Sequence, residues 1–112
     1  MKYKIVLVPF PFDDLSNQKV RPAVCLTDEI QPFGHIILAF ITSRIFSSPS
    51  ATDFVIETTD AEFKQTGLKV SSTIRLHRLM TVSKSIIRRQ LGELSASQQQ
   101  EIENRIRKLF NF

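Results

Sequence analysis

The sequence predicts a mainly β protein, a small barrel of antiparallel strands with one α-helix at the C-terminus. All five prolines lie within the first fifty residues, and short apolar, β-branched runs separate them. Because proline breaks helices, this part of the chain favours short strands. From Thr81 onward there is no proline and only one glycine, and the chain ends in apolar residues at helical spacing. Strands followed by one helix indicate a helix packed on a sheet.

Short apolar runs define the predicted strands. They lie at 5–8, 23–26, 35–42, 54–57, 72–76 and 90–94. The run at 35–42 is the longest and most apolar, so we expect it to be central. The polar segment 9–19 predicts a loop as long as many functional lids, and 28–34 and 47–51 predict shorter connections.

A helix is predicted after residue 94. Ser95 or Ser97, each followed three residues later by glutamine, predicts its N-cap. Four apolar residues of this segment share one helical stripe: Ile102, Ile106, Leu109 and Phe110. This stripe predicts the face that contacts the sheet.

Length and composition exclude several classes of protein. A chain of 112 residues fits one domain spanning 1–112. The single Cys25 excludes a disulfide framework and is expected in the core, and no Cys/His cluster has structural-zinc spacing. No apolar run reaches the roughly 18 residues that a membrane span needs, and no signal-peptide pattern is present. The sequence therefore predicts a soluble, cytoplasmic domain without a membrane partner.

Positive charge is concentrated in the second half of the chain. Residues 1–56 carry five basic and five acidic residues, whereas residues 57–112 carry ten and six. Seven basic residues follow one another without an intervening acid: Lys64, Lys69, Arg75, Arg78, Lys84, Arg88 and Arg89. Such a stretch is typical either of a surface that binds a polyanion or of a solubilising surface, and charge alone leaves both open.

Familiar cofactor and nucleophile motifs are absent. There is no phosphate-binding glycine loop, dinucleotide fingerprint, zinc-protease motif or serine-hydrolase elbow. The acid pair Asp13–Asp14 lacks the additional spaced carboxylates of a metal nuclease. The sequence thus predicts neither a cofactor nor a metal site.

The residues that stand out lie at strand ends. Arg21 follows the polar loop, and Thr42 and Ser43 close the long apolar strand. Arg75 and His77 are two residues apart on a strand, so their side chains are expected to share one face. Guanidinium, hydroxyl and imidazole groups could together hold a phosphodiester without metal. The alternative is that Arg75 and His77 only face solvent.

Several blocks of this sequence resemble the MazF/PemK toxins, the ribonuclease halves of type II toxin–antitoxin systems. The resemblance covers nearly the whole chain, in order and with similar gaps. The blocks are Val8–Ser16 (VPFPFDDLS), Lys19–Val24 (KVRPAV), Phe40–Ser43 (FITS), Gly67–Leu68, Ser72–Thr81 and Leu91–Leu94 (LGEL).

This resemblance implies a fold and an activity. It implies an SH3-like barrel that forms a homodimer and cleaves single-stranded RNA without metal. The 2′-hydroxyl would attack the adjacent phosphorus, leaving a 2′,3′-cyclic phosphate and a 5′-hydroxyl. It also implies a cognate antitoxin protein as a partner, whose disordered acidic segment would fold into the RNA groove.

Position by position, the resemblance implies site residues. Arg21 matches the catalytic arginine and Thr42 the catalytic threonine. Ser43 and Arg75 fall on RNA-contacting positions. His77 falls where related toxins have an acid that takes part in proton transfer, so it would either move that proton or only bind phosphate.

Two loops would border the RNA groove, one from Phe10 to Lys19 and the other from Ile45 to Ala51. On the first loop, Phe12 and Lys19 are expected to bind RNA, and Phe46 on the second is a further candidate for base stacking.

Two departures from the family pattern keep other functions open. Met80–Ser83 (MTVS) replaces an Arg-Thr-Ile-Asp segment, and Lys2–Lys4 (KYK) replaces a Gly-Asp pair. The alternatives to a nuclease are a non-catalytic binding module, as in the gyrase-poisoning CcdB, and a degenerate copy that only binds antitoxin. Retention of both Arg21 and Thr42 favours the nuclease.

Overall fold

A computed structural model of the chain describes residues 1–10 and 19–111. Its elements in chain order are β1 (Lys4–Phe10), β2 (Lys19–Cys25), β3 (His35–Thr42), β4 (Asp53–Ile56), α1 (Phe63–Thr66), β5 (Ser72–Ser83), β6 (Arg89–Glu93) and α2 (Ala96–Phe110). A 3₁₀ turn, Lys84–Ile86, separates β5 from β6.

The strands form one antiparallel sheet in the order β4-β5-β3-β2-β1-β6. The sheet curls into a half-barrel, and this confirms the predicted mainly β fold with a C-terminal helix. β3 lies inside the sheet between β5 and β2, as its apolar sequence predicts. The site described below lies at the C-terminal end of this strand.

Strand pairing moves several predicted boundaries. β1 continues to Phe10 and β2 begins at Lys19, and these two residues face each other across the pair. Both ends of the predicted loop 9–19 are therefore strand, because antiparallel pairing extends them, and residues 11–18 lie outside the described part. The single turn of α1 was not predicted, since four residues carry no helical period.

β5 is much longer than predicted and contains a bulge. It pairs with β3 on both sides of the bulge, from Thr73 to Ser83, but Arg75 faces Phe40 whereas Leu79 faces the neighbouring Ala39. Three residues of β5, 76–78, are therefore inserted between two consecutive β3 partners. Because three is an odd number, the alternation of side chains reverses across the bulge.

Alternate residues of the central strands enter two apolar clusters on opposite faces of the sheet. On β3, Ala39 and Ile41 belong to the cluster that includes Ile102 of α2, whereas Ile36 and Leu38 belong to the other. Cys25 is fully buried, and burial raises the pKa of its thiol to about 11. It is a core residue, as predicted.

The terminal helix begins as the sequence predicts. The Ser95 hydroxyl accepts the Gln98 N–H and the Gln98 side chain accepts the Ser95 N–H, which forms a capping box. Ile102 is completely buried, but Phe110 is 52% exposed. The buried part of the apolar stripe therefore does not include Phe110.

Two glycines allow β6 to lie against the α1–β5 connection. A Cβ atom at Gly67 would lie 2.1 Å from the Leu91 carbonyl oxygen, and one at Gly92 would lie 2.3 Å from the Gln65 carbonyl oxygen. Gly67 also has a φ of +74°, which disfavours other residues. This contact explains the glycines in two of the sequence blocks noted above.

Candidate active site

Three of the predicted site residues meet at one cavity of about 220 Å³. Among residues 1–10 and 19–111, those that line it are Arg21, Phe40, Ile41, Thr42, Arg75 and Arg78. The sheet register explains the meeting, because β3 lies between β2 and β5 and Phe40 pairs with Ala23 on one side and Arg75 on the other. Arg21, two residues before Ala23, and Thr42, two residues after Phe40, lie at the same end of the sheet.

Arg78 also lines this cavity, although it was not among the predicted site residues. On a regular strand, residues 75 and 78 would point to opposite faces. The bulge reverses the alternation between them, so both guanidinium groups reach the cavity. The only sequence signal for Arg78 is its place in the acid-free basic stretch.

Arg75 is held by a buried carboxylate. Its Nε donates to Asp53 Oδ1 at 3.0 Å, and the Asp53 side chain is 2% exposed. The other carboxylate oxygen accepts the Ser50 N–H at 3.1 Å. Burial by itself would raise the pKa of Asp53, but these hydrogen bonds and the charge of Arg75 together hold it below its usual value. Asp53 is therefore an ionised, anchored partner.

Phe46 packs against the same arginine. The Arg75 guanidinium carbon lies 4.3 Å from the Phe46 ring centroid, and that of Arg44 lies 4.7 Å from it. These are cation–π contacts. The ring therefore contacts protein guanidinium groups, and its role as a stacking surface for a base stays a prediction.

Thr42 presents a hydroxyl that already accepts one hydrogen bond. Its Oγ1 accepts the Arg44 N–H at 3.2 Å. The hydroxyl proton is thereby left for another acceptor in the cavity. Arg44 is itself fixed, because its carbonyl accepts the Thr73 hydroxyl at 2.9 Å.

His77 lies beside the cavity and does not line it. The residue is exposed, in the bulge, and its Nδ1 lies 3.1 Å from Thr52 Oγ1, which in turn lies 2.8 Å from Ser50 Oγ. Arg75 lines the cavity and His77 does not, so the cavity does not bring these two predicted residues together. Within the described residues, Nε2 of His77 has no hydrogen-bond partner.

The remaining predicted residues have separate positions. Ser43 lines a neighbouring groove of about 350 Å³, and Lys19 is exposed at the start of β2. Phe12 lies outside the described residues.

The neighbouring groove continues from the cavity, since Arg21 and Ile41 line both. Lys69 and Arg89 add two cations to an otherwise largely apolar lining, and no acid from the described part of the chain lines either space. The combined surface attracts anions. Among residues 1–10 and 19–111, no three His, Cys, Asp or Glu side chains cluster as metal ligands would, and no helix is of a length and apolarity that could cross a bilayer.

Comparison with known families gives one match over almost the whole chain. The model for PemK-like, MazF-like toxins of type II toxin–antitoxin systems matches residues 1–110. No curated protein sequence matches the chain significantly.

Solved structures share the fold. The Mycobacterium tuberculosis toxin MazF-mt6 superposes with a TM-score of 0.73 at 22% identity, covering 97% of each chain. MazF from Deinococcus radiodurans superposes at 0.71 with 18% identity, covering 99% of this chain and 96% of its own. A mycobacterial endoribonuclease in complex with its cognate antitoxin gives 0.74 at 10% identity, covering 100% and 95%.

Proposed function

Because the chain belongs to the family of PemK-like, MazF-like toxins of type II toxin–antitoxin systems, we propose that it is a metal-independent endoribonuclease that cleaves single-stranded RNA at specific sequences and thereby inhibits growth. One observation carries the proposal. Arg21, Thr42, Arg75 and Arg78 line a single cavity whose described lining contains no acid. Three guanidinium groups and a hydroxyl match the charge and hydrogen-bonding capacity of a phosphodiester.

In the proposed reaction, the substrate supplies its own nucleophile. The ribose 2′-oxygen forms a bond to the adjacent phosphorus, and the bond from phosphorus to the 5′-oxygen breaks. The 2′-hydroxyl proton passes to a base, and the leaving oxygen takes up a proton. The products are a 2′,3′-cyclic phosphate and a 5′-hydroxyl.

Arg21 and Thr42 would act on the developing negative charge at phosphorus. Arg21 is exposed at the cavity and, within the described residues, its side chain makes no hydrogen bond or ion pair, so its guanidinium donors are available to the phosphorane. Thr42 would donate its hydroxyl proton to a non-bridging oxygen. Donors of this kind contribute about 2.7–4 kcal/mol each to transition-state stabilisation.

His77 is the proposed proton-transfer group. With Nδ1 within hydrogen-bond distance of Thr52 Oγ1, Nε2 would face the substrate, and an imidazole can both take up and release a proton. Since His77 does not line the cavity, the RNA would have to extend along the bulge to reach it. If His77 transfers no proton, it would instead bind a flanking phosphate of the same strand.

Other residues would bind the RNA strand. Arg75 and Arg78 would hold phosphates beside the scissile bond, and Ser43 would contact the strand where it enters the neighbouring groove. Lys19 and Phe12 are proposed to contact RNA from the β1–β2 connection.

The proposed partners are an antitoxin and a second copy of the chain. Solved relatives include a MazE–MazF complex from Deinococcus radiodurans and the mycobacterial endoribonuclease with its antitoxin. An acidic, disordered antitoxin segment would complement the basic groove. We propose a homodimer that acts in the cytoplasm, where its RNA substrate lies.

The test is cleavage of a long single-stranded RNA in excess EDTA. We expect wild type to cut at a short recurring sequence, and Arg21→Ala to lose at least about 100-fold in rate. Arg107→Ala, which removes an exposed arginine from α2, is the matched control and should cut normally. His77→Ala in the same assay separates proton transfer, with a large loss, from phosphate binding, with a modest one. If folded wild-type protein cut no RNA, the non-catalytic binding module would replace the nuclease.

A further inference from the structure

A single turn before β4 contacts both predicted site residues of β5. Asp53, at its end, binds Arg75 Nε, and Thr52, one residue earlier, lies within hydrogen-bond distance of His77 Nδ1. The Thr52 carbonyl also accepts the Leu76 N–H. Two residues of the turn 50–53 therefore contact three consecutive residues of β5, 75–77.

Asp53 binds the Arg75 guanidinium group on its Nε side. A guanidinium group has one Nε–H donor and four terminal N–H donors. Asp53 uses Nε, and the four terminal donors have no hydrogen-bond partner within the described residues, although Arg75 lines the cavity. Phe46 lies against the guanidinium at 4.3 Å and restricts its rotation. The four terminal N–H donors of Arg75 are thus positioned to bind an oxyanion in the cavity.

The turn is fixed from behind by the C-terminal helix. Arg105 Nη1 donates to the carbonyl oxygens of Ala51 and Asp53 at 3.0 and 2.9 Å. Arg105 is in turn paired with Glu101 at 2.8 Å. Within the turn, the Asp53 N–H donates to the Ser50 carbonyl. The carboxylate therefore cannot follow a displaced Arg75, and it defines where that arginine sits.

We propose that Asp53 is a positioning residue that anchors Arg75 through Nε, so that the terminal guanidinium donors are oriented for the phosphate oxygens of RNA. This inference rests on the proposed nuclease function for its substrate. Geometry matters here because misplacing a contact by about 1 Å can cost about 100-fold in rate.

The first test is a double-mutant cycle on RNA cleavage. Asp53→Asn keeps the shape of the side chain but removes its charge and one acceptor oxygen. We expect it to lower kcat/KM roughly 10- to 100-fold in the wild-type background and less than about 2-fold in an Arg75→Ala background. Asp60→Asn removes the charge of an exposed carboxylate in the next turn, whose described contact is the Glu57 N–H, and should change nothing.

A second variant, Arg75→Lys, tests the proposal even if Asp53→Asn does not fold stably. A lysine keeps a cation for Asp53 but has no second set of donors, so this variant should melt near the wild-type temperature and still lose activity to the level of Arg75→Ala. Equal losses from Asp53→Asn in both backgrounds, or wild-type activity in Arg75→Lys, would overturn the proposal.

A second readout does not depend on activity. In nitrogen-resolved NMR, the Arg75 Nε–H signal should exchange slowly in wild type and in Asp60→Asn, and quickly in Asp53→Asn. If wild type cuts no RNA but this pattern holds, the proposed function fails and the anchoring survives. Rapid exchange of Arg75 Nε–H in wild type would refute the anchoring itself.

Discussion

The two sides of the cavity hold their arginines in opposite ways. On the anchored wall (Phe46, Asp53 and Arg75), the guanidinium has a buried carboxylate on one edge and an aromatic ring against its face. On the open wall (Arg21), the side chain is exposed and makes no hydrogen bond or ion pair within the described part of the chain.

This difference separates two kinds of electrostatic contribution. A fixed guanidinium loses little conformational freedom when it binds an anion, but its buried carboxylate must stay paired. A free guanidinium can follow a charge that moves during a reaction, but its side chain loses conformational entropy when it binds. We therefore expect Arg75 to matter for both folding and binding, and Arg21 for activity alone.

The largest effect expected from this comparison is on stability. Arg75→Ala leaves the Asp53 carboxylate buried, with the Ser50 backbone N–H as its only hydrogen-bond donor among the described residues, which should cost about 1–3 kcal/mol in the free energy of unfolding. Arg21→Ala should stay within about 0.5 kcal/mol of wild type. Urea unfolding of the two variants measures the difference, and equal costs would remove the distinction between the walls.

A smaller effect should appear at acidic pH. The pKa of Asp53 is lowered in the folded state, so its stabilising contribution is present above the unfolded pKa of about 3.9 and is lost as pH falls through the folded value. The stability gap between wild type and Asp53→Asn should therefore be constant near neutral pH and shrink below about pH 4. Urea unfolding at a series of pH values tests this, and a gap that grows on acidification would contradict it.

The smallest expected effect concerns the other end of β2. Arg21 is exposed, but four residues later Cys25 is fully buried with a thiol pKa of about 11. Since the thiolate is the reactive form, a thiol reagent at pH 8 should react slowly with native protein and quickly in urea. Rapid stoichiometric reaction of the native protein would show that the whole strand is open, not only its cavity end.

Much of the fold could be predicted because it depends on local pattern. The apolar run of β3 and the Ser95 capping box required only residues adjacent in sequence, and both are confirmed. The length of β5 could not be predicted in this way. The apolar alternation changes phase at the bulge, from Ile74 and Leu76 to Met80 and Val82, so no single period covers the whole strand, which pairs with β3 as far as Ser83.

The candidate site also contains residues that local sequence could identify and one that it could not. Arg21, Thr42 and Arg75 could be selected because strand ends and family-like blocks mark them, and the cavity brings them together. Arg78 could not, because a bulge changes the direction in which a side chain points without changing the composition of the strand.

The sequence by itself determined which residues carry charge and hydroxyl groups, which segments are apolar enough to be strands or helix, and which family the chain resembles. These properties depend on side-chain chemistry and short-range periodicity. Only the tertiary structure decided that Asp53 anchors Arg75, that Arg105 of α2 fixes the turn behind it, and that His77 lies beside the cavity. Those contacts join residues 22 to 52 positions apart, and their geometry follows from the register and curl of the sheet, which no local pattern encodes.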